Sequence, residues 1–139
     1  MRVALVTGGG SGIGRSAALE LNKIDFTVYV VGRREEELIK TSSLATNNNH
    51  KIIPIKTDIT IGSQVIALFD KIKSGHGRID LLFNNAGMGA PRVPIEDLKE
   101  EDWRKTVDVN LTGSFLCSQQ AIKLMKNQSP QGGRIVNNG

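Results

Sequence analysis

The residues with the clearest chemical potential lie near the N-terminus, in the run TGGGSGIGRS at positions 7–16. A short apolar run precedes this segment and a helical pattern follows it. A glycine-rich turn between a strand and a helix can present backbone N–H groups, and the positive end of the helix dipole, to a phosphate group. The turn therefore predicts a site for a phosphorylated ligand, although a tight turn that binds nothing could have the same composition.

Nucleotide-binding patterns distinguish the candidate ligands. A P-loop requires G-x-x-x-x-G-K-[ST], but Arg15 follows Gly14 where the lysine should stand, and the strand IDLLF at 79–83 does not end in an aspartate for Mg²⁺. The spacing G-x-G-x-x-G fails on a literal count as well. The pattern that fits is T-G-x-x-x-G-x-G, with its glycines at Gly8, Gly12 and Gly14.

Further polar segments follow later strands or lie in a later helix. Asp58 comes after the third apolar run, and NNAG at 84–87 comes after the fourth. VNLTG at 109–113 lies within a long helical pattern, and GRIVN at 133–137 forms the last apolar run. In this order, and together with the glycine turn, these segments resemble the short-chain dehydrogenase/reductase family over the whole chain.

The resemblance implies a nicotinamide dinucleotide ligand and assigns a part of it to each segment. The pyrophosphate is implied at the glycine turn, which consists of Gly8, Gly12 and Gly14 and is lined by Ser11 and Ile13. Asp58 is implied to bind the adenine amino group, and the backbone of Ile59 to meet the same ring. Asn84, Ala86 and Gly87 are implied to steady the sheet and to pass the cofactor ribose.

The same resemblance implies that Asn110 is catalytic, holding a water that links to an active-site lysine. A polar residue that only kinks its helix is the alternative. The family also needs a Ser, and a Tyr followed four residues later by Lys, because the oxyanion left by hydride transfer must receive a proton. The lone tyrosine, Tyr29, lies in a strand with Arg33 four residues later, so it is not that residue. We expect the catalytic Ser, Tyr and Lys beyond Gly139, and residues 1–139 alone to be poorly soluble and inactive.

The cofactor preference is predicted from the end of the second strand, VVGRR at 30–34. NAD enzymes place an acidic residue there to bind the ribose 2′-hydroxyl. Gly32 occupies that position and Arg33 follows, and a guanidinium can bind a 2′-phosphate that a carboxylate would repel. The sequence therefore predicts NADP(H). Arg34 either assists or is a solvated residue at the helix start, and Arg15 is expected at the surface.

The elements that position these residues alternate along the chain. Strands are predicted at 3–7, 26–31, 51–55, 79–83 and 134–137, and helices after the glycine turn, at 35–45, after a Thr60 cap and at 100–126. This alternation is typical of a parallel sheet covered on both faces, and Pro54 places its strand at an edge. With the resemblance, it predicts a single domain over 1–139. Its fold is α/β, a Rossmann-type doubly wound sheet with strand order 3-2-1-4-5, incomplete at its C-terminal end.

Composition excludes several classes of function. The net charge is +4, and positive and negative side chains are interspersed along the chain. Aromatic residues make up 4% of the chain, so we expect no nucleic-acid surface. No apolar run approaches a membrane span or a signal peptide, and the single cysteine, Cys117, fits a helix core in a reducing, cytoplasmic compartment. His50 and His76 are expected alone in loops, so no metal site is predicted.

The sequence thus favours an oxidoreductase, complete only at full length, that moves hydride between NADP(H) and a small-molecule alcohol/carbonyl pair. A non-catalytic dinucleotide-binding sensor or regulatory protein, or an inactive truncated fragment, stays open, as does the substrate. The segment MGAPRVPIE at 88–96 either borders the substrate mouth or only connects two elements. The resemblance implies a homo-oligomer at full length, either a dimer or a tetramer, because the family's long helix often packs on a partner subunit. The apolar stripe Trp103, Val107, Leu111 and Phe115 is nevertheless expected to face its own sheet.

Overall fold

The computed structural model describes residues 1–139, and its sheet confirms the predicted topology. Five strands pair in parallel in the order β3-β2-β1-β4-β5. The strands are β1 (Arg2–Thr7), β2 (Phe26–Gly32), β3 (Ile52–Lys56), β4 (Leu81–Asn84) and β5 (Arg134–Asn137). The helices are α1 (Gly12–Lys23), α2 (Glu35–Ser43), α3 (Gly62–His76), α4 (Glu100–Val107) and α5 (Gly113–Asn127), with a 3₁₀ turn at Ile95–Asp97 and a π-helical turn at Asp108–Thr112. Pro54 lies in the edge strand β3, as expected.

The apolar run of β1 is buried on both faces because helices cover the sheet on each side. Val3 and Leu5 belong to a core that includes residues of α3 and α5. Ala4 and Val6 point the other way, into a second core that α1 and α2 help to form. Strands alternate their side chains between faces, so a central strand of a covered sheet must be apolar at every position.

The start of α3 differs from the prediction. Ile61, not Thr60, is the N-cap residue, and it makes no side-chain capping bond. The Thr60 hydroxyl instead donates to Asp58 Oδ1 at 2.6 Å, and the Thr60 amide donates to the same oxygen at 3.0 Å. A short hydroxyl side chain can bond locally to a neighbouring turn as readily as to a helix end, and the sequence pattern does not distinguish the two.

The helix predicted over 100–126 is interrupted. The π-helical turn at Asp108–Thr112 separates α4 from α5 and contains Asn110. A π turn inserts one extra residue into the helical ladder, so the faces of the helix before and after it change register. Residues 100–126 therefore form two α-helices joined by this turn rather than one continuous helix.

Three of the four residues of the apolar stripe face outward, which corrects the expectation that it faces the sheet, and the fourth, Val107, is half-buried. Trp103, Leu111 and Phe115 are 58%, 66% and 59% exposed. The buried side of α5 contains Gly113, Cys117 and Ala121 instead. These small residues let the helix approach the sheet closely, and the predicted burial of Cys117 is confirmed. Burial raises the pKa of the Cys117 thiol to about 12.

Asp80 joins the beginnings of the central strands. Its Oδ2 accepts a hydrogen bond from the Val3 amide at 2.8 Å, and Arg78 Nη2 donates to its Oδ1 at 2.6 Å. Arg78 also donates to the Ser129 carbonyl at 3.0 Å. Burial by itself raises the pKa of Asp80, but the bonds from Arg78 and the Val3 amide together outweigh it, so this pKa lies below its usual value.

No helix combines the length and the apolar composition that a membrane span requires.

Replacing Asp80 by Asn should destabilise the fold by about 1–3 kcal/mol at neutral pH, because Arg78 loses its charged partner. A carboxyl whose folded pKa is lowered stabilises the protein above its unfolded pKa of about 3.9, and this contribution disappears as the pH falls through the folded value. Denaturant unfolding from neutral pH to about pH 2 measures both effects. The variant should show a shallower loss of stability in acid.

The matched control is Asp70→Asn, which changes the same charge at an exposed position of α3. It should leave both the unfolding free energy and its acid slope nearly unchanged. An Asp80→Asn variant that is as stable as the parent, with the same acid slope, would contradict the role assigned to Asp80.

Candidate functional site

A cleft of about 680 Å³ opens at the carboxyl ends of the strands. It lies where β1 is flanked by β2 on one side and β4 on the other, which is the point at which the strand order reverses. In open α/β sheets, ligands bind at this position. Most of the residues singled out in the sequence line the cleft: Gly8, Ser11, Gly12, Ile13, Arg33, Asp58, Ile59, Ala86 and Gly87.

The glycine turn is shaped by two glycines with different constraints. Gly12 has a φ of +51°, and a Cβ there would meet no atom within 4 Å, so its backbone faces open space. Gly14 is buried beneath the turn, where a Cβ would lie 2.1 Å from the Gly8 carbonyl oxygen. The first glycine leaves room for a ligand beside the backbone, and the second lets α1 approach the end of β1.

The N-terminus of α1 can receive an anion. Its N-cap Ser11 makes no side-chain capping bond, and no acidic residue lies in its first turn. Ser11 and Ile13 are exposed where they line the cleft. The first N–H groups of a helix have no partner within the helix, so they can donate to a phosphate, which the helix dipole also favours.

The end of β2 presents a cation to the same cleft. Gly32 is the last residue of β2, and Arg33 and Arg34 follow it along the cleft wall. Arg33 is exposed and makes no ion pair with a carboxylate. Arg34 Nη2 lies 3.4 Å from Ser11 Oγ, so the second arginine reaches towards the head of α1. The guanidinium of Arg33 is free to bind an anionic ligand.

Asp58 and Ile59 form the wall beyond β3. One carboxylate oxygen of Asp58 is held by Thr60, and the Asp58 amide donates to Gln64 Oε1 at 2.8 Å. Ile59 is buried, and a Cβ on Gly113 would lie 2.6 Å from its Cδ1. The start of α5 therefore packs directly on Ile59, and this contact fixes the backbone of the wall.

Thr7 connects the ends of β1 and β4 across the switch point. Its Oγ1 accepts hydrogen bonds from the amides of Asn85 and Ala86 at 3.0 and 2.9 Å. Asn85 Nδ2 donates back to the Thr7 carbonyl at 3.2 Å. The sequence reasoning singled out neither Thr7 nor Asn85 as a site residue, although Asn85 lines the cleft.

Asn84 lies below the cleft rather than in it. It is buried, and its Nδ2 donates to Ser118 Oγ at 3.0 Å and to Asn137 Oδ1 at 2.9 Å. These bonds join β4 to α5 and β5. The geometry gives Asn84 a role in holding the sheet, whereas Ala86 and Gly87 line the cleft above it.

Asn110 holds the segment that follows β4. Its Oδ1 accepts from the Met88 amide at 2.9 Å, and its Nδ2 donates to the Met88 carbonyl at 2.8 Å. A Cβ on Gly87 would lie 2.9 Å from Asn110 Oδ1, so the glycine makes room for this pairing. Asn110 does not line the cleft, whereas its neighbour Val109 does.

Arg15 is not a free surface residue, which corrects the sequence prediction. Its side chain is 19% exposed and reaches from α1 to α2. Nη2 lies 2.9 Å from Glu37 Oε2, and Nε donates to Thr41 Oγ1 at 3.0 Å. These partners stand more than twenty positions away along the chain, and no local spacing rule connects them.

The sequence predicted that His76 is a loop residue without partners, and the structure corrects this. His76 ends α3, and its Nδ1 lies 2.6 Å from the hydroxyl of Tyr29. Burial raises the pKa of Tyr29, which lies in β2 and does not line the cleft. The expectation that Tyr29 is not the catalytic tyrosine agrees with this placement.

Comparisons with known proteins agree with the fold. Residues 2–139 match the family described as short chain dehydrogenase. A 3beta-hydroxysteroid dehydrogenase from Mediterraneibacter gnavus is 37% identical over 136 residues, which cover 98% of this chain and 48% of that protein. The chain thus spans about half the length of the curated relatives it matches.

Solved structures give the same result. An NAD⁺-bound xylitol dehydrogenase superposes with a TM-score of 0.91 at 31% identity, covering 98% of this chain and 52% of that one. A variant of actinorhodin polyketide ketoreductase with NADPH superposes with a TM-score of 0.89 at 34% identity, covering 98% and 52%. The two neighbours hold different nicotinamide dinucleotides, so they do not distinguish between the cofactors. The family match over nearly the whole sequence, on a sheet of the expected order, establishes that this chain belongs to the short-chain dehydrogenase/reductase family.

Proposed function

We propose that residues 1–139 form the cofactor-binding part of an oxidoreductase that moves hydride between NADP(H) and an alcohol/carbonyl pair. The observation that supports the cofactor assignment is the exposed, unpaired Arg33 next to Gly32, in the same cleft as the free N-terminus of α1. A dinucleotide with a 2′-phosphate has anionic groups for both sites. NAD(H) would leave the arginine without a partner.

The described residues fit this ligand in size and chemistry. A cleft of about 680 Å³ is large enough for most of a dinucleotide. The open backbone at Gly12, with Gly8, Ser11 and Ile13, would hold the pyrophosphate. Arg33, assisted by Arg34, would bind the 2′-phosphate by charge-assisted hydrogen bonds.

The remaining assignments follow the walls of the cleft. Asp58 and Ile59 would contact the adenine. Ala86 and Gly87, supported by Asn84 beneath them, would lie next to the ribose. The bound cofactor would supply or accept the hydride. The described residues bind and orient it.

Asn110 is proposed to serve catalysis by holding the segment after β4 in place and, as the family resemblance implies, by holding a water in a proton path. Its amide bonds both backbone groups of Met88. The π-helical turn around Asn110 agrees with this proposal, because such turns frequently occur at functional sites.

The outward apolar stripe on α4 and α5 is proposed to contact a second copy of the protein. Trp103, Leu111 and Phe115 are each more than half exposed. Exposed aromatic and aliphatic side chains grouped on one surface are typical of an interface. A cytoplasmic location is proposed as well, because the single cysteine, Cys117, leaves no internal disulfide to form, which fits a reducing compartment.

Titration of NADPH and NADH against the intact protein tests the cofactor assignment, and NADPH should bind more tightly. Arg33→Ala should weaken the binding of NADPH by about 1.5–3 kcal/mol, the size of a hydrogen bond to a charged group. It should change the binding free energy of NADH by less than about 0.5 kcal/mol. Arg104→Ala, which removes an arginine of α4 outside the cleft, is the matched control. Equal or tighter binding of NADH by the parent protein would rule out NADP(H) as the preferred cofactor.

Replacing Asn110 by Ala should lower kcat for carbonyl reduction by about 10- to 100-fold, because a lost hydrogen-bond partner costs about 1–3 kcal/mol and each 1.4 kcal/mol is about tenfold in rate. The dissociation constant for NADPH should change much less than kcat. Asn127→Ala, which loses only a local bond to the Lys123 carbonyl, should retain the parent kcat. If Asn110→Ala has the parent kcat, Asn110 only shapes the helix.

Replacing Phe115 by Glu should dissociate the proposed assembly, because a carboxylate in an apolar interface loses its hydration without gaining a partner. Sedimentation velocity on the intact protein measures the change. The control is Ile66→Glu, at a position of α3 that is 50% exposed and outside the stripe. A parent protein that sediments as a monomer at all accessible concentrations would overturn this proposal.

A further inference from the structure

The Arg15 side chain forms a brace between the glycine turn and α2. Nη2 contacts the carbonyl oxygen of Gly10, the carbonyl oxygen of Glu37 at 3.2 Å and Glu37 Oε2 at 2.9 Å. Nε donates to Thr41 Oγ1, and the Thr41 hydroxyl in turn donates to the Gly9 carbonyl at 2.8 Å. One guanidinium therefore connects the ligand-facing turn to the helix that follows Arg33 and Arg34.

Glu37 gives this brace an electrostatic consequence. It is the one acidic residue besides Asp58 that lines the cleft, and it shares that wall with Arg33 and Arg34. Its side chain is 36% exposed, so its charge is only partly screened by solvent. A carboxylate in that position opposes an anionic ligand, and it also competes for the cations meant to bind that ligand.

We propose that Arg15 is a positioning residue that sets the preference for NADP(H) by engaging the carboxylate of Glu37. The ion pair turns that carboxylate towards α1 and offsets its charge, so that Arg33 and Arg34 act on the ligand unopposed. This inference rests on the proposed function. It adds to that function a residue that touches no part of the dinucleotide and affects the two cofactors differently.

An arginine is suited to this place and a lysine is not. The contacts of Arg15 spread over several acceptors on two elements, and they use two nitrogen atoms of a planar group. A lysine ammonium is a single point of charge at the end of a flexible chain and cannot bond to all of them at once. Arg15→Lys should therefore retain part of the charge effect and lose the brace.

A brace with no electrostatic role would give different results. Loosening the contact between the glycine turn and α2 would weaken the binding of NADPH and of NADH equally, because both contain the pyrophosphate. Releasing the Glu37 carboxylate would weaken NADPH selectively, because only NADPH has the 2′-phosphate. The ratio of the two dissociation constants therefore separates an electrostatic role from a purely structural one.

The experiment measures dissociation constants of NADPH and NADH for the intact protein and its variants, at low and at high salt. Arg15→Met should raise the constant for NADPH about tenfold more than that for NADH, which corresponds to about 1.4 kcal/mol. This selective loss should shrink at high salt, since exposed charges are screened within about 10 Å at 0.1 M. The double variant Arg15→Met, Glu37→Gln should regain most of the parent preference.

Glu37→Gln alone keeps the inference testable if Arg15→Met does not fold. It should tighten the binding of NADPH severalfold and leave that of NADH unchanged, because Arg15 then places an uncompensated positive charge directly behind the cleft wall. The matched control is Glu36→Gln, which removes the same charge from an exposed neighbour that does not line the cleft. That control should leave both constants unchanged.

Two results would overturn the inference in distinguishable ways. If the parent prefers NADPH but the Arg15 and Glu37 variants shift both dinucleotides equally, Arg15 is only a structural brace and the proposed function stands. If the parent binds NADH at least as tightly as NADPH, the cofactor assignment fails and this inference fails with it.

Discussion

The contact between Gly14 and the Gly8 carbonyl oxygen determines the geometry of the whole site. A Cβ at Gly14 would lie 2.1 Å from that oxygen, so only a glycine lets α1 begin this close to the end of β1. The close approach directs the first N–H groups of α1 into the cleft. The Thr7 hydroxyl then receives the amides of Asn85 and Ala86, which brings the end of β4 to the same place. These two contacts, of Gly14 with Gly8 and of Thr7 with the end of β4, fix the positions of the elements that form the other walls of the cleft.

The alternation of strands and helices and the glycine turn could be predicted from local signals, whereas the order of the strands and most of the cleft residues were implied by the family resemblance. Apolar runs separated by helical patterns define a covered parallel sheet, and Pro54 identifies an edge strand. The glycine spacing, and the presence of Gly32 and Arg33 where NAD enzymes have an acidic residue, identify the cleft. The contacts of Asp80 and Arg15 could not be predicted. The Val3 amide that bonds to Asp80, and the α2 side chains that bond to Arg15, lie on other elements that meet only in three dimensions, and a single charged residue gives no sign of which carboxylate or amide it will find.

The error about the apolar stripe has a related cause. Trp103, Leu111 and Phe115 are all exposed although the π-helical turn at Asp108–Thr112 interrupts the helix, so the error concerns the direction in which the stripe faces. Along the first part of α5 the side that packs on the sheet instead consists of the small residues Gly113, Cys117 and Ala121, and Leu124 and Met125 continue it towards the end of the helix. A hydrophobicity count therefore assigned the larger side chains to the core, whereas close packing placed the smaller ones there.

The pairing of Asn110 with Met88 depends on the amide group of the asparagine side chain. The backbone of Met88 offers one donor and one acceptor, and the Asn110 side chain supplies one of each, at 2.9 and 2.8 Å. Aspartate offers only acceptors when ionised, and leucine offers neither, so each would leave the Met88 carbonyl without this partner. Gly87 leaves room for this pairing, because a Cβ there would lie 2.9 Å from the amide oxygen and would press against it. The NNAG segment and the distant asparagine thus depend on each other: the glycine provides the space, and the amide holds the chain that follows.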